Sequence, residues 1–260
     1  MQNPKFPCGL VSISFRPYSV RQILDAVKES GLDSVEWGSD VHAPSDDPER
    51  LEEIVALQEE YGIRCSSYGT YFRLGVDPIE DLDAHITAAR ALGCNVLRLW
   101  CGHKKMNYQD YSKEQKEALL DAARQVAALG EEEDVIFCME CHQNTFTNCL
   151  EGALALMEAT ASDHFRMYWQ PNEHVDYETN LRYAKEIAPY TKVIHVFNWE
   201  GRNRYPLRDA TDRWLSYLAF FDGSQRLLLE HMPDDRLETL ATEAEALKEI
   251  RECLFKEGRE

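Results

Sequence analysis

The residues of this chain that can do chemistry are concentrated at the ends of short apolar runs. Residues 135–140 end in Glu140, with His142 two positions on. Residues 193–197 carry His195, with Asn198 and Trp199 following, and residues 227–230 end in Glu230 and His231. A carboxylate embedded in an apolar run costs on the order of several kcal/mol unless a positive charge compensates it, and a second carboxylate nearby raises that cost. One divalent cation offsets both. Two glutamates and an imidazole form a mixed oxygen and nitrogen donor set suited to manganese, cobalt, magnesium or zinc, with positions left open for substrate oxygens. The competing reading puts Glu140, His195 and Glu230 in separate buried salt bridges, with Arg98 as the obvious partner. Three runs that end alike favour the shared site.

The remaining apolar runs finish in the same way. Residues 10–14 lead to Arg16, and residues 34–37 carry Glu36 and Trp37, with His42 shortly after. Residues 64–68 end in Tyr68 and lead to Tyr71 and Arg73; residues 96–100 hold Arg98 and Trp100; residues 167–170 end in Gln170, with Asn172 beyond. That makes eight runs, rich in Val, Ile, Leu and Cys. Amphipathic stretches with helix signals separate them: Ser19 before and Gly31 after one, Pro48 and Gly62 bounding another, Ser112 and Gly130 a third. Strands buried on both faces and joined by helices form a parallel sheet. Eight such units are the size of a closed (β/α)8 TIM barrel, an α/β fold, in a single domain spanning residues 1–260. An open doubly wound sheet would carry a glycine-rich phosphate turn after its first strand. Here Ser14-Phe15-Arg16-Pro17-Tyr18 follows instead. In a parallel barrel, loops from different units converge at the carboxyl ends of the strands, which is where the polar residues fall.

Composition narrows the function further. With 28 basic residues against 46 acidic ones the formal net charge is -18, a surface that repels the phosphate backbone of nucleic acid. No run approaches the roughly 18 apolar residues needed to cross a bilayer, and residues 1–9 lack the sectors of a secretory signal, so a cytoplasmic protein is expected. The eight cysteines are scattered, several inside apolar runs, and are expected as reduced thiols. Cys138-Met139-Glu140-Cys141-His142 matches a c-type haem attachment pattern, but its cysteines begin inside a buried run, so the match is coincidental. The acidic run Glu131 to Glu133 reads as a solvated loop. The chain has neither a dinucleotide-binding glycine turn nor a Gly-x-Ser-x-Gly elbow.

Taken in order and spacing, Val35-Glu36-Trp37-Gly38 with His42, Glu140-Cys141-His142, His195-Val196 and Leu229-Glu230 resemble the sugar phosphate isomerase/epimerase family of xylose isomerase-like TIM barrels. The resemblance spans nearly the whole chain. It implies that Glu140, Gln170, His195 and Glu230 hold one divalent metal. The departure is at the sixth strand, where Trp169-Gln170-Pro171-Asn172 stands in place of the family's aspartate. An amide oxygen still ligates a hard cation, but with one less negative charge the site binds metal more weakly. Asn172 is the alternative amide ligand.

The implied reaction is proton transfer through an enediolate, with Glu140 and Glu230 as the catalytic pair that removes and returns the proton. The expected partner is a small carbohydrate, and self-association is compatible with it. Candidates for binding it are Glu36, Trp37, His42, Tyr68, Arg98, His142, Asn172, Asn198, Trp199 and Arg202, the last from the arginine-rich segment after the seventh strand. Trp37, Tyr71, Trp100 and Trp199 are candidates for an apolar wall against a sugar ring. Two other functions remain open. One is a lyase or dehydratase that uses the same proton abstraction, including keto-glycoside cleavage; the other is a catalytically degenerate sugar-binding barrel. A DNA-repair endonuclease of this fold would need more histidines and acids and a basic groove.

Overall fold

Each expected apolar run forms a strand, and pairing around the ring leaves no free edge. The structure, a computed structural model, describes residues 5–256. In chain order the strands are β1 (Cys8–Val11), β2 (Ser34–Gly38), β3 (Arg64–Leu74), β4 (Val96–Cys101), β5 (Ile136–Glu140), β6 (Phe165–Trp169), β7 (Thr191–Val196), the short β8 (Trp199–Glu200) and β9 (Asn203–Arg204), and β10 (Arg226–Leu229). Eight of them close a parallel barrel in the order β1-β10-β7-β6-β5-β4-β3-β2, while β8 and β9 form an antiparallel hairpin beyond β7. The helices are α1 (Val20–Ser30), α2 (Pro48–Tyr61), α3 (Leu82–Ala91), α4 (Lys113–Glu133), α5 (Leu150–Thr160), α6 (Tyr177–Ile187), α7 (Thr211–Leu218) and α8 (Leu240–Lys256). This is the (β/α)8 TIM barrel. Among the described residues, no helix is long and apolar enough to cross a membrane. All eight cysteines are unpaired.

The helix signals work locally as the residue types require. Ser19 accepts from the Gln22 amide while the Gln22 side chain accepts from Ser19, and Gly31 ends α1 in the left-handed region at φ 68°. Asp47 caps α2, with Pro48 in its first turn. Two expectations are corrected. Gly130 does not end its helix: α4 runs on to Glu133, and Asp134 takes the left-handed position at φ 50°. Gly130 is small because a Cβ there would approach the His164 and Val135 carbonyl oxygens to 3.1 and 3.0 Å. The acidic run Glu131 to Glu133 is therefore the last turn of α4, where Glu131 accepts from Ser162 and Glu133 pairs with Arg90 at 2.8 Å. At the first strand the apolar run begins earlier than expected, and Ser12–Phe15 form a 3-10 turn above β1.

Two apolar cores follow from the alternation of side chains along each strand. The larger lies between barrel and helices. The smaller consists of Val11, Cys138, Tyr168, Val193 and Leu228, with Ile13, Val96 and Ile136 packed against it. Because side chains repeat every second residue, the residues two positions after Val96, Cys138, Tyr168, Val193 and Leu228 face the same way. Those residues are Arg98, Glu140, Gln170, His195 and Glu230. The apolar plug thus carries a polar layer directly above it, toward the carboxyl end.

Helix α5 ends at Ala161, which is held at φ 45°, a left-handed conformation that costs a residue with a Cβ about 1 kcal/mol or more. Ala161→Gly is expected to raise stability by about 1 kcal/mol, read as a higher urea midpoint at unchanged slope.

Candidate metal centre

Three acceptor-bearing side chains converge on the Nδ1 edge of His195, at the carboxyl ends of adjacent strands. Gln170 Oε1 lies 2.9 Å from Nδ1, Glu230 Oε2 3.4 Å and Glu140 Oε1 3.7 Å. Ligand atoms of Glu140, His195 and Glu230 all lie within 4.8 Å of one another, and all three residues are buried. One imidazole nitrogen offers at most one hydrogen, so three oxygens around it exceed the donors available. The excess of acceptors is what a cation requires. Charge points the same way: Glu36, Glu140 and Glu230 are buried together, and Arg98 is the one permanent cation among them. A divalent ion beside a neutral His195 brings that group to electrical balance, whereas a proton on His195 leaves it one charge short. The residues present therefore fit a divalent metal, with Glu140, His195, Glu230 and the amide oxygen of Gln170 as its donors. Asn172 does not compete, because its side-chain oxygen accepts from the His174 amide.

The carboxylates around His195 favour its protonated form. Burial alone would lower the His195 value, but Glu230 and Glu36 outweigh it and push it up to about 10. Burial likewise works against ionised Glu230, yet His195, His231 and Arg98 hold it well below the usual carboxylate range.

Against the convergent site lies a second cluster, in which Arg98 Nη2 is the one buried nitrogen without a hydrogen-bond partner among the described residues. Arg98 bridges two glutamates, with Nε donating to Glu36 Oε1 at 2.9 Å and Nη1 donating to Glu140 Oε2. Glu36 also accepts from Ser67 at 3.0 Å and from the Tyr168 hydroxyl at 2.6 Å, the tyrosine reaching across the barrel from β6 to β2. Burial would raise the Glu36 value, but Arg98 and the donors around it hold it down at about 2. Burial and the neighbouring Glu36 push the Tyr168 phenol up, keeping it a neutral donor. Room for the guanidinium comes from Gly69: a Cβ there would stand 2.7 Å from Arg98 Nη2 and 3.0 Å from Glu36 Oε1. The buried salt bridge expected between Arg98 and Glu140 is present. Arg98 holds one oxygen of Glu140, and the other faces His195.

Several expected binding residues are placed elsewhere. Glu36 is buried beneath the convergent site, with its oxygens already engaged. Trp37 and Tyr68, one position out of phase with the inward residues, turn to the helices: Trp37 donates to Gln58 at 2.8 Å and Tyr68 to the Ala43 carbonyl at 2.6 Å. His42 is buried between Ser12 Oγ and the Tyr18 carbonyl. Asn172 is engaged with Asn180 and the His174 turn, and Asn198 donates to the Pro206 carbonyl at 2.9 Å. Arg202 is exposed at the hairpin turn; Arg204 is the arginine that reaches inward, lying 5.0 Å from the Trp199 ring and paired with Asp235. Trp37 and Tyr68 face the opposite side of their strands from Glu36 and Ser67, whereas Asn172 and Asn198 are consumed by their own loops.

Two aromatic walls flank the convergent site. Tyr71 stacks on Trp100 with centroids 6.4 Å apart, and Trp100 lies 4.6 Å from His142. Opposite them, Trp199 meets His231 at 4.8 Å. Ser67, Gly69 and Tyr168 escaped the sequence reading. Tyr168 was findable, because it precedes Gln170 by two and must face the same way.

The family described as xylose isomerase-like TIM barrel matches residues 24–217. No curated protein sequence matches the chain. Among solved structures, the probable 3-DHS dehydratase AsbF of Bacillus anthracis has a TM-score of 0.76 at 16% identity, covering 94% of this chain and 98% of that one. D-psicose 3-epimerase of Clostridium cellulolyticum H10 has a TM-score of 0.68 at 15% identity, covering 96% and 99%. A xylose isomerase-like TIM barrel protein of Mycobacterium smegmatis, in complex with magnesium, has a TM-score of 0.71 at 14% identity, covering 96% and 98%.

Replacing Arg98 by leucine leaves Glu36 and Glu140 buried without their cation and is expected to cost about 3–5 kcal/mol of stability at pH 8. Glu36 is depressed in the folded wild type, so its contribution is present above its ordinary value of 4.5 and lost as pH falls toward 2. The variant lacks that contribution, so urea titrations should show the gap between the two proteins shrinking as pH falls below 4.5.

Proposed function

Since the chain belongs to the xylose isomerase-like TIM barrel family, we propose that it is a divalent-metal-dependent isomerase or epimerase of a keto sugar or sugar derivative. The observation that carries this reading is the convergence of two buried carboxylates and an imidazole on one point, with more acceptors than hydrogens. Glu140, His195, Glu230 and Gln170 would hold a divalent ion, which would supply Lewis acidity toward a carbonyl and its neighbouring hydroxyl and so acidify the adjoining carbon-bound hydrogen. The chain supplies the proton carriers. Glu140 and Glu230 extend from strands separated by β6 and β7, so they approach a bound substrate from different sides. One takes the proton and the other returns it, which inverts the centre or moves the carbonyl.

Arg98 fixes the orientation of Glu140 by holding Oε2, leaving Oε1 as the atom turned to the site. The His231 ring lies 3.6 Å from Glu230 Oε1, beside the second carboxylate. Gln170 completes the donor set. Trp100, Tyr71 and Trp199 exclude water and offer apolar faces to the ring or chain of a carbohydrate. The same abstraction followed by loss of a β-hydroxyl is a dehydration. His142, two residues past Glu140 and against Trp100, is placed to give a proton to such a leaving group. Product analysis distinguishes the two.

The test is incubation of the metal-loaded protein with a panel of keto sugars in deuterated water, followed by NMR. Deuterium is expected at the carbon beside the carbonyl, with incorporation lowered by about 10²-fold or more in Glu140→Gln and in Glu230→Gln. Near-normal incorporation in either variant would refute the pair. Gln170→Asp restores a negative ligand and is expected to tighten metal binding about tenfold or more by calorimetry. Unchanged affinity would remove residue 170 from the donor set.

A further inference from the structure

Arg73 carries a charge that the protein leaves uncompensated. It stands near the carboxyl end of β3, half-buried, with its guanidinium 4.9 Å from the Trp100 ring. Nε donates to the Gly102 carbonyl at 2.8 Å and Nη2 to the Asn144 carbonyl at 3.3 Å. Both partners are neutral. Asp77 is nearby but accepts from the Arg73 backbone amide at 2.7 Å and makes no ion pair with the guanidinium. At this end of the barrel Arg16 pairs with Asp40, Arg98 with Glu36 and Glu140, and Arg204 with Asp235. In a chain with an excess of 18 negative charges, a half-buried guanidinium with no carboxylate within 4.0 Å among the described residues is a departure from how its neighbours are treated. Two carbonyls and a ring fix its plane without cancelling its charge, so the fork is pre-organised for an anion that comes from outside.

The direction of that anion follows from the wall itself. Trp100 contacts both Arg73 and His142, and His142 follows Glu140 by two residues, so Arg73 is one aromatic ring away from the convergent site. We propose that Arg73 binds an oxyanion, carboxylate or phosphate, at the end of the substrate remote from its reacting carbons, making the substrate an acidic sugar derivative. This rests on the proton-transfer reading of the same site for the position of the reacting carbons. It adds the charge of the substrate and the residue that selects it.

Three probes share one carbon skeleton and differ at C6: D-fructose, D-fructuronate and D-fructose 6-phosphate. Their binding to the magnesium-loaded protein is followed by tryptophan fluorescence. The tighter of the two anions is expected to bind about tenfold or more tighter than fructose, the size of one charge-assisted pair, and the preference to shrink with added salt. Which anion is tighter identifies carboxylate or phosphate as the group. In Arg73→Met the preference over fructose should fall to about threefold or less. Arg73→Lys keeps the charge and loses the planar fork, so it should retain an intermediate preference; it decides the matter if the methionine variant does not fold.

A role for Arg73 confined to tying the Gly102 and Asn144 loops together would lower stability and leave the ratio of anion to neutral probe unchanged. Equal binding of all three probes by the wild type, or a preference that survives in both variants, overturns the inference. The two readings fail separately. Deuterium uptake with no charge preference removes the anion site alone, and an Arg73-dependent preference without deuterium uptake removes the proton transfer alone.

Discussion

Three carboxylates enclosed in the lumen of one barrel are the constraint from which the rest of the site follows. Each is costly out of water, and together they repel, so the interior must supply positive charge and donors in fixed places. Arg98 answers for two of them from a single guanidinium, Tyr168 and Ser67 add neutral donors to Glu36, and Gly69 gives up its side chain to let the guanidinium lie flat. None of these parts can be changed alone. The carboxylates left facing one another are those around His195, where the barrel opens.

The barrel therefore separates two tasks by height. Around Glu36 the donors are Arg98, Ser67 and Tyr168, all protein atoms. One alternation step higher, Glu140, Gln170, His195 and Glu230 present oxygens and a nitrogen with too few hydrogens between them. The apolar plug under both layers keeps water from entering from below, which strengthens every charge interaction above it. Arg98 and Glu140 link the two levels, so the lower layer sets the orientation of a residue that the upper layer uses.

Much of this was legible in the sequence, because run ends in a parallel barrel meet at one place whatever their separation along the chain. Glu140, His195 and Glu230 could be read that way, as could the helices bounded by Ser19 and Gly31 or by Pro48 and Gly62. Depth within the barrel was not legible. Glu36 and Glu140 have the same chemistry and similar flanking residues, yet one is walled in and the other faces the opening, which depends on the stagger of strands around the ring. Nor can strands buried on both faces reveal phase, since both sides are apolar; Trp37 and Tyr68 were misplaced for that reason. Loop residues such as Asn172, Asn198 and Arg202 failed for another: short polar side chains satisfy their own turns first, and an arginine two positions further on has the better reach.

The sharing of Arg98 also limits what kind of ion the barrel can select. With Oε2 of Glu140 held by Arg98, that carboxylate would offer an ion a single oxygen, and His195 and Gln170 would offer one atom each. Calcium, which seeks six to eight oxygens and favours chelating carboxylates, is poorly served by so few anchors. Smaller ions content with a sparse, nitrogen-containing inner sphere are not, and their remaining vertices stay exchangeable. A guanidinium that never touches the ion would thus tune the barrel's preference among cations by controlling denticity.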